Sequence, residues 1–276
     1  MRLGFIILFN LFVINAFAGK GDNSVGARSA GLANTSTLFT DFWSAENNPA
    51  GLGFVKHFGA GISYSNHFII KEFGYKSMVL AYPSKMGAFG LSVGQFGYSL
   101  YNENKIGLSY GQRLSDHFSL GIQLNYLNTQ IGEGYGSKSA FSGNLGLLAE
   151  VSDQVKVAAI IINPNRVKLA EYQNERIPTI LKLAVSYEFS EKVILMSEIQ
   201  KDIDFDYNAI LALEYLATDY FYLRAGYGTN PSTSTFGFGV KLKDFDIDIA
   251  SGFHSTLGFT PQISLSYTPN SKQGKK

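Results

Sequence analysis

With 276 residues, no cysteine and 23 basic against 22 acidic side chains, the chain excludes disulfides, thiolate metal sites, a cysteine nucleophile and a lipid-bearing N-terminal cysteine. Near-neutral charge gives no electrostatic reason to expect nucleic acid. Its 29 glycines, 22 phenylalanines and 16 tyrosines, against 7 prolines and one tryptophan, suit closely spaced strands with rings at a membrane interface.

Residues 1–18 read as a secretory signal: Arg2 precedes an apolar run from Leu3 to Val13, and Ala16-Phe17-Ala18 supplies a small-residue cleavage site. Removing it takes away one basic residue, Arg2, and leaves 22 charges of each sign. No later apolar run is long enough for a membrane helix, so entry into a membrane requires a barrel. Residues 19–56 show no alternation and form a head, or plug-like segment, too short for a core of its own. Within it Gly26 to Leu32 is small and flexible, and Thr40 to Gly53 predicts a short helix capped by Thr40 or Asp41 and ended before Pro49.

Residues 57–269 carry a repeated strand signal, and 270–276 are a polar tail. Period-two patterning places strands at 58–65, 72–82, 87–97, 104–113, 117–130, 138–150, 154–162, 178–189, 192–201, 206–216, 220–229, 234–242, 245–253 and 259–268. That makes fourteen. Alternate connections are tight and mostly acidic: Pro83-Ser84, Ser115-Asp116, Ser152-Asp153, Ser190-Glu191, Thr218-Asp219 and Lys243-Asp244. The others include the longer Ile131 to Ser137, Asn163 to Ile177 and Thr229 to Ser232. Short turns on one side, longer loops on the other and an even strand number describe an all-β, transmembrane antiparallel barrel in the cell outer membrane, surrounded by its lipid and lipopolysaccharide.

A soluble sandwich is the competing reading, and charge placement weighs against it. Lys241 and Asp246 fall opposite each other across Lys243-Asp244, on the face away from Phe236, Phe238, Val240, Phe245, Ile247 and Ile249. In a barrel that face is the lumen, which admits charge at modest cost. The same parity makes Lys182, Glu188, Glu214, Arg224 and Asp248 lumenal, and Glu198 too if the turn near Ser190 holds three residues. Such charges stiffen the interior as salt bridges, line a polar pathway, or seat the head. Three-residue turns pair Leu108 with Ile122 and Gly111 with Ser119, and set Arg224 opposite Ala212, diagonal to Glu214.

The four histidines, His57, His67, His117 and His254, lack metal-ligand spacing, and adjacency of His254 and Ser255 near Asp246 or Asp248 is not triad geometry. No Walker loop is present, and Gly237-Phe238-Gly239 is strand alternation. The reading is therefore non-enzymatic, with no cofactor and no metal. Arg166, Lys168, Tyr172 and Arg176, in the longest and most charged loop, are candidates for contacting lipopolysaccharide phosphate or a partner protein.

Gly26 to Leu32, then Asn47-Asn48-Pro49-Ala50-Gly51-Leu52, then a barrel with Glu198 to Asp202, Glu214-Tyr215, Arg224 to Tyr227, Phe236 to Gly239 and His254 to Gly258, resembles the PorV/PorQ family of Bacteroidetes outer-membrane proteins, within the FadL-like barrel superfamily. The resemblance implies a lumenal N-terminal segment whose Asn48, Pro49, Ala50 and Gly51 mark the junction of head and barrel. It also implies work in type IX secretion, with translocon components or cargo as partners. Its superfamily implies instead a transport channel for a hydrophobic or amphipathic small molecule. The chain departs from the family in its short loops and in lacking a terminal aromatic residue.

Overall fold

The computed structural model of the chain describes residues 24–132, 136–167 and 177–269. The signal reading of residues 1–18, the tail 270–276, and Lys168, Tyr172 and Arg176 lie outside these.

Two short helices, α1 (Ala27–Gly31) and α2 (Ser44–Asn47), precede a 3-10 helix at Pro49–Phe54. Fourteen strands follow: β1 (Gly59–Asn66), β2 (Gly74–Ser84), β3 (Gly87–Gly97), β4 (Tyr101–Ser115), β5 (Phe118–Ile131), β6 (Gly136–Glu150), β7 (Val155–Ile162), β8 (Ile180–Ser190), β9 (Val193–Asp202), β10 (Asn208–Thr218), β11 (Phe221–Thr229), β12 (Ser232–Leu242), β13 (Phe245–His254) and β14 (Gly258–Tyr267). Each pairs antiparallel with its neighbours in sequence, and β1 closes the barrel on β14 through Ala60–Tyr267 to Ser65–Gln262. Closure leaves no sheet edge to satisfy in an apolar medium.

Alternation decides which residues go where. Ile62, Met78, Leu108, Ile122, Leu124, Leu145, Leu183, Leu211, Ile249 and Ile263 are exposed on the outside, a wall that only lipid can cover. Rings flank this aliphatic band at both ends: Phe89 with Tyr110 and Phe245 with Tyr267 near the short turns, Tyr126 with Phe141 and Phe253 with Phe259 near the longer connections, their centroids 4.9 to 5.4 Å apart. Phe245 and Phe253 are eight positions apart on β13, about 26 Å of strand, which a barrel's tilt lowers to about 20 Å.

Two expected registers are corrected. Leu108 pairs with Leu124 and Gly111 with Gly121, because the turn is only Asp116-His117 and a bulge between Arg113 and Ser115 takes up the extra residue. Likewise Arg224 lies directly opposite Glu214, with a bulge between Leu216 and Thr218. Both shifts are two residues, so no side chain changes face. A third bulge, between Glu188 and Ser190, sets Glu198 opposite Ala184 with a two-residue turn; the expected extra residue is in the strand and not the turn.

The head is also more ordered than its composition suggests. Gly26 to Leu32, expected to be flexible, contains α1. The helix expected in Thr40 to Gly53 is split at Asn48, whose extended backbone separates α2 from the 3-10 helix. Asp41 accepts a hydrogen bond from the Trp43 amide at 2.9 Å, capping the turn before α2.

Candidate functional site

The lumen is occupied by the protein's own head. Small side chains on the inner wall receive it: the Ala27 amide donates to Ser264 Oγ (3.1 Å), the Ala33 amide to Thr235 Oγ1 (3.0 Å), Trp43 Nε1 to Ser266 Oγ (3.2 Å), and Ser119 Oγ donates to the Ala50 carbonyl (2.6 Å). These contacts reach β14, β12 and β5, so the segment crosses the interior from one side of the wall to the other. Gly121 makes the approach possible. A Cβ there would lie 2.1 Å from the Pro49 carbonyl carbon.

Two apolar clusters carry most of the head's adhesion. Leu32, Leu38, Phe39 and Ala50 pack on Leu148, Ala158, Ala184, Met196 and Ala212, and Val25, Phe42, Trp43, Ala45 and Leu52 pack on Val79, Ala81 and Ala88. Leu32, Leu38, Phe39, Phe42, Trp43 and Leu52 are each no more than 5% exposed. At about 2 kcal/mol apiece their burial contributes about 12 kcal/mol before the entropy of ordering is subtracted.

Ions then fix position. Arg28 clasps Glu214 through Nε (2.9 Å) and Nη2 (2.7 Å) and reaches Asp41 at 3.1 Å, while its guanidinium lies 4.3 Å from the Phe39 ring centre. Glu214 also accepts from Arg224 Nε (2.6 Å), whose Nη1 donates to Asp248 (2.6 Å). Because desolvation cancels much of the Coulomb gain of buried ions, this network contributes orientation more than net stability.

The eight lumenal charges occupy three places. Glu214, Arg224 and Asp248 form the network just described. Lys182 and Glu198 lie farther toward the longer connections, where Lys182 is opposite Gln200 and Gln200 Nε2 donates to Glu198 Oε1 at 2.8 Å. Glu188, Lys241 and Asp246 lie near the short turns, half-buried, with Lys241 directly opposite Asp246. Asn48 to Gly51 sits against β4, β5 and β6: Asn48 Oδ1 accepts from the Ala50 amide (3.1 Å), and its Nδ2 donates to the Thr37 carbonyl (2.7 Å). Arg166 is exposed, at the root of the β7–β8 connection. His254 Nδ1 accepts from the amides of Thr256 and Leu257, each at 3.2 Å, and so serves its own turn.

The structure is similar to those of the Ralstonia pickettii toluene transporter TbuX (13% identity, TM-score 0.66, 89% of this chain and 97% of that one) and the CymD monoaromatic hydrocarbon channel (15%, 0.62, 89% and 97%). It is also similar to a Pseudomonas aeruginosa FadL homologue (14%, 0.63, 89% and 98%). The fold shared with these structures is a closed, fourteen-stranded antiparallel outer-membrane barrel. At this identity the likenesses bear on the fold alone, and they do not show the PorV/PorQ, Bacteroidetes or secretion part of the sequence resemblance. No family model and no curated protein matches the chain.

Arg28 was hidden in the sequence, since nothing in a run of small residues points to a partner 186 positions away. Glu46 was equally silent. Gln123 and Asn144, by contrast, are polar residues on inward-facing positions, and alternation alone marks them as lumenal. Gly121→Val is expected to unseat the head without opening the barrel, because its added Cβ and methyls meet Pro49 backbone and not a flexible side chain. The reading is tryptic cleavage after Arg28, at least about tenfold faster than in the parent while heat-modifiable gel mobility is unchanged.

Proposed function

We propose that the chain is a non-enzymatic outer-membrane channel for a small hydrophobic or amphipathic solute, in which residues 24–56 are a plug that shifts for passage. The observation that carries this is the pairing of a barrel whose fold is found in proteins described as a toluene transporter and a monoaromatic hydrocarbon channel with an apolar segment of the same chain packed against the inner wall. A general porin keeps a water-filled lumen; here Phe39, Phe42 and Trp43 are buried inside it.

The lining beyond the plug suits the same solute class. One inward position farther along from Ala158, Ala184, Met196 and Ala212 come Ile160, Lys182, Glu198 and Ile210, all buried, and Ile180 follows on β8. Aliphatic surface with one cation and one anion within it matches an apolar body with a small polar end.

The test is accumulation of radiolabelled toluene and of a medium-chain fatty acid in cells lacking other channels of this fold. The protein is expected to speed uptake of one or both several-fold over empty vector, with sugar uptake unchanged. Uptake no faster than vector would end the channel reading. A protein-interaction role in type IX secretion draws on the sequence resemblance alone; it would replace the channel if pull-down from native membrane enriched secretion components while uptake stayed at the vector level.

A further inference from the structure

We propose that seating of the head is mechanically coupled to the root of the β7–β8 connection, two strands along the wall from the residue that meets the head, through a directional chain of buried amides. The chain starts at Glu46 on α2. Its carboxylate accepts from Lys105 Nζ on β4, from Ser92 Oγ on β3 (2.6 Å) and from Gln123 Nε2 on β5 (3.2 Å). Gln123 Nε2 also donates to the Ala45 carbonyl at 2.9 Å, so two head acceptors hold this end of the amide. Its oxygen is thereby turned to Asn144 on β6, the residue directly opposite, whose Nδ2 donates to it at 2.7 Å.

That orientation commits Asn144 Oδ1 as an acceptor, and it takes a share of the Asn163 backbone amide at 3.3 Å, the other share going to the Gly143 carbonyl at 3.0 Å. Asn163 is the knot of the β7–β8 connection. It is fully buried with φ of 51°, and its side chain donates to the Ile177 carbonyl (2.9 Å) and accepts from the Val167 amide (3.3 Å). Its carbonyl accepts from Thr179 Oγ1 (2.8 Å) and the Arg166 amide (3.1 Å).

The wall is shaped to let the chain pass. Gln123 must reach across β4 to meet Glu46 and Ser92, and it does so over Gly107, where a Cβ would lie 2.5 Å from Ser92 Oγ and 2.6 Å from Gln123 Nε2. Gln123 and Asn144 are 3% and 2% exposed, so water does not replace a bond lost to either, and an amide that flips to rescue one bond breaks the next. Withdrawal of α2 therefore frees Gln123, then Asn144, and leaves the Asn163 amide with the Gly143 carbonyl as its one remaining acceptor, so that the knot loosens without coming undone. Loosening at Asn163 acts back on the head by the same amount, since coupling free energies are reciprocal. This device does not depend on which solute, if any, the barrel conducts.

Hydrogen exchange of the full-length protein in detergent micelles tests it. Glu46→Ala is expected to speed exchange of the Asn163, Val167 and Ile177 amides by about tenfold, leaving the amides of residues 255–257 unchanged. Asn144→Leu is expected to do the same alone and to remove any further effect of Glu46→Ala. In the reverse direction, a thiol introduced by Ser44→Cys, buried in the parent and the chain's only one, is expected to react with a maleimide about tenfold faster when Asn144→Leu is added. Gln123→Met, which keeps the Glu46–Lys105 pair, and Gly107→Ala sever the middle and serve if Glu46→Ala does not give the heat-modifiable form. Unchanged exchange at Asn163 in Glu46→Ala, equal acceleration with and without Asn144→Leu, or a labelling rate indifferent to Asn144→Leu would each overturn the coupling.

Discussion

Deleting residues 24–56 is expected to turn a barrel with little steady conductance into an open pore, raising the current in planar bilayers at least about tenfold, the difference between a plugged and a water-filled lumen of this size. The wall does not need the head for closure: every neighbouring pair, including β1 with β14, is joined by its own backbone hydrogen bonds. What the deletion uncovers is mostly polar. Ser63, Ser119, Gln123, Asn144, Glu214, Arg224, Asp248, Ser264 and Ser266 are buried inward-facing groups that water solvates readily once the space is vacated. The apolar surface released, on Val79, Leu148 and Met196, is small beside the six large side chains that leave with the head. Gel mobility with and without heating separates the outcomes: a folded deletion barrel that does not conduct rules out the plug, and Gly121→Val then asks the same question with the head displaced but attached.

How much of this was legible in sequence depends on the length scale of the determinant. Strand existence and facing are local properties, written in a period of two, and they survive error: the two-residue register shifts at Asp116-His117 and Thr218-Asp219 exchange partners without exchanging faces. The pairing of Lys241 with Asp246 was readable because Lys243 and Asp244 form a bare two-residue turn, with Lys243 at a positive φ of 55°; in the β4–β5, β8–β9 and β10–β11 hairpins a bulge hid in the strand end, and sequence does not distinguish an extra turn residue from a bulged one. The head resisted reading for a different reason. Ala27, Ser29, Ala30 and Gly31 are all buried, with α1 laid against β11 to β14, and being small or polar they form no amphipathic stripe, so periodicity has nothing to report. Its partners, Glu214, Thr235 and Ser264, lie about two hundred positions away, where only the closed barrel brings them.

Arg224→Met is expected to be the most destabilising single substitution in the lumen, at about 3 to 5 kcal/mol, because it orphans a buried anion. Arg224, Glu214 and Asp248 have side chains 4%, 5% and 7% exposed. Without Arg224, Glu214 keeps its two-pronged bond to Arg28, but Asp248 loses the guanidinium it faces across Gly239, a position where a Cβ would lie 2.5 Å from Asp248 Oδ1. Arg28→Met should cost less, about 1 kcal/mol, since Arg28 is 27% and Asp41 34% exposed and water takes up part of the lost interaction. The distinguishing variant is Arg224→Met with Asp248→Asn, expected to recover part of the loss by removing the stranded charge. Urea unfolding in lipid vesicles separates the two layers of the molecule. Trp43, the chain's one tryptophan, rests on Phe42 at 4.8 Å and donates to Ser266, so its fluorescence follows the head while circular dichroism follows the wall. If the ions position the head and do not hold the barrel shut, Arg224→Met shifts the Trp43 transition to lower urea by more than the strand transition. Coincident shifts, or no recovery on adding Asp248→Asn, would place the network in the barrel's own stability and remove it from the seating of the head.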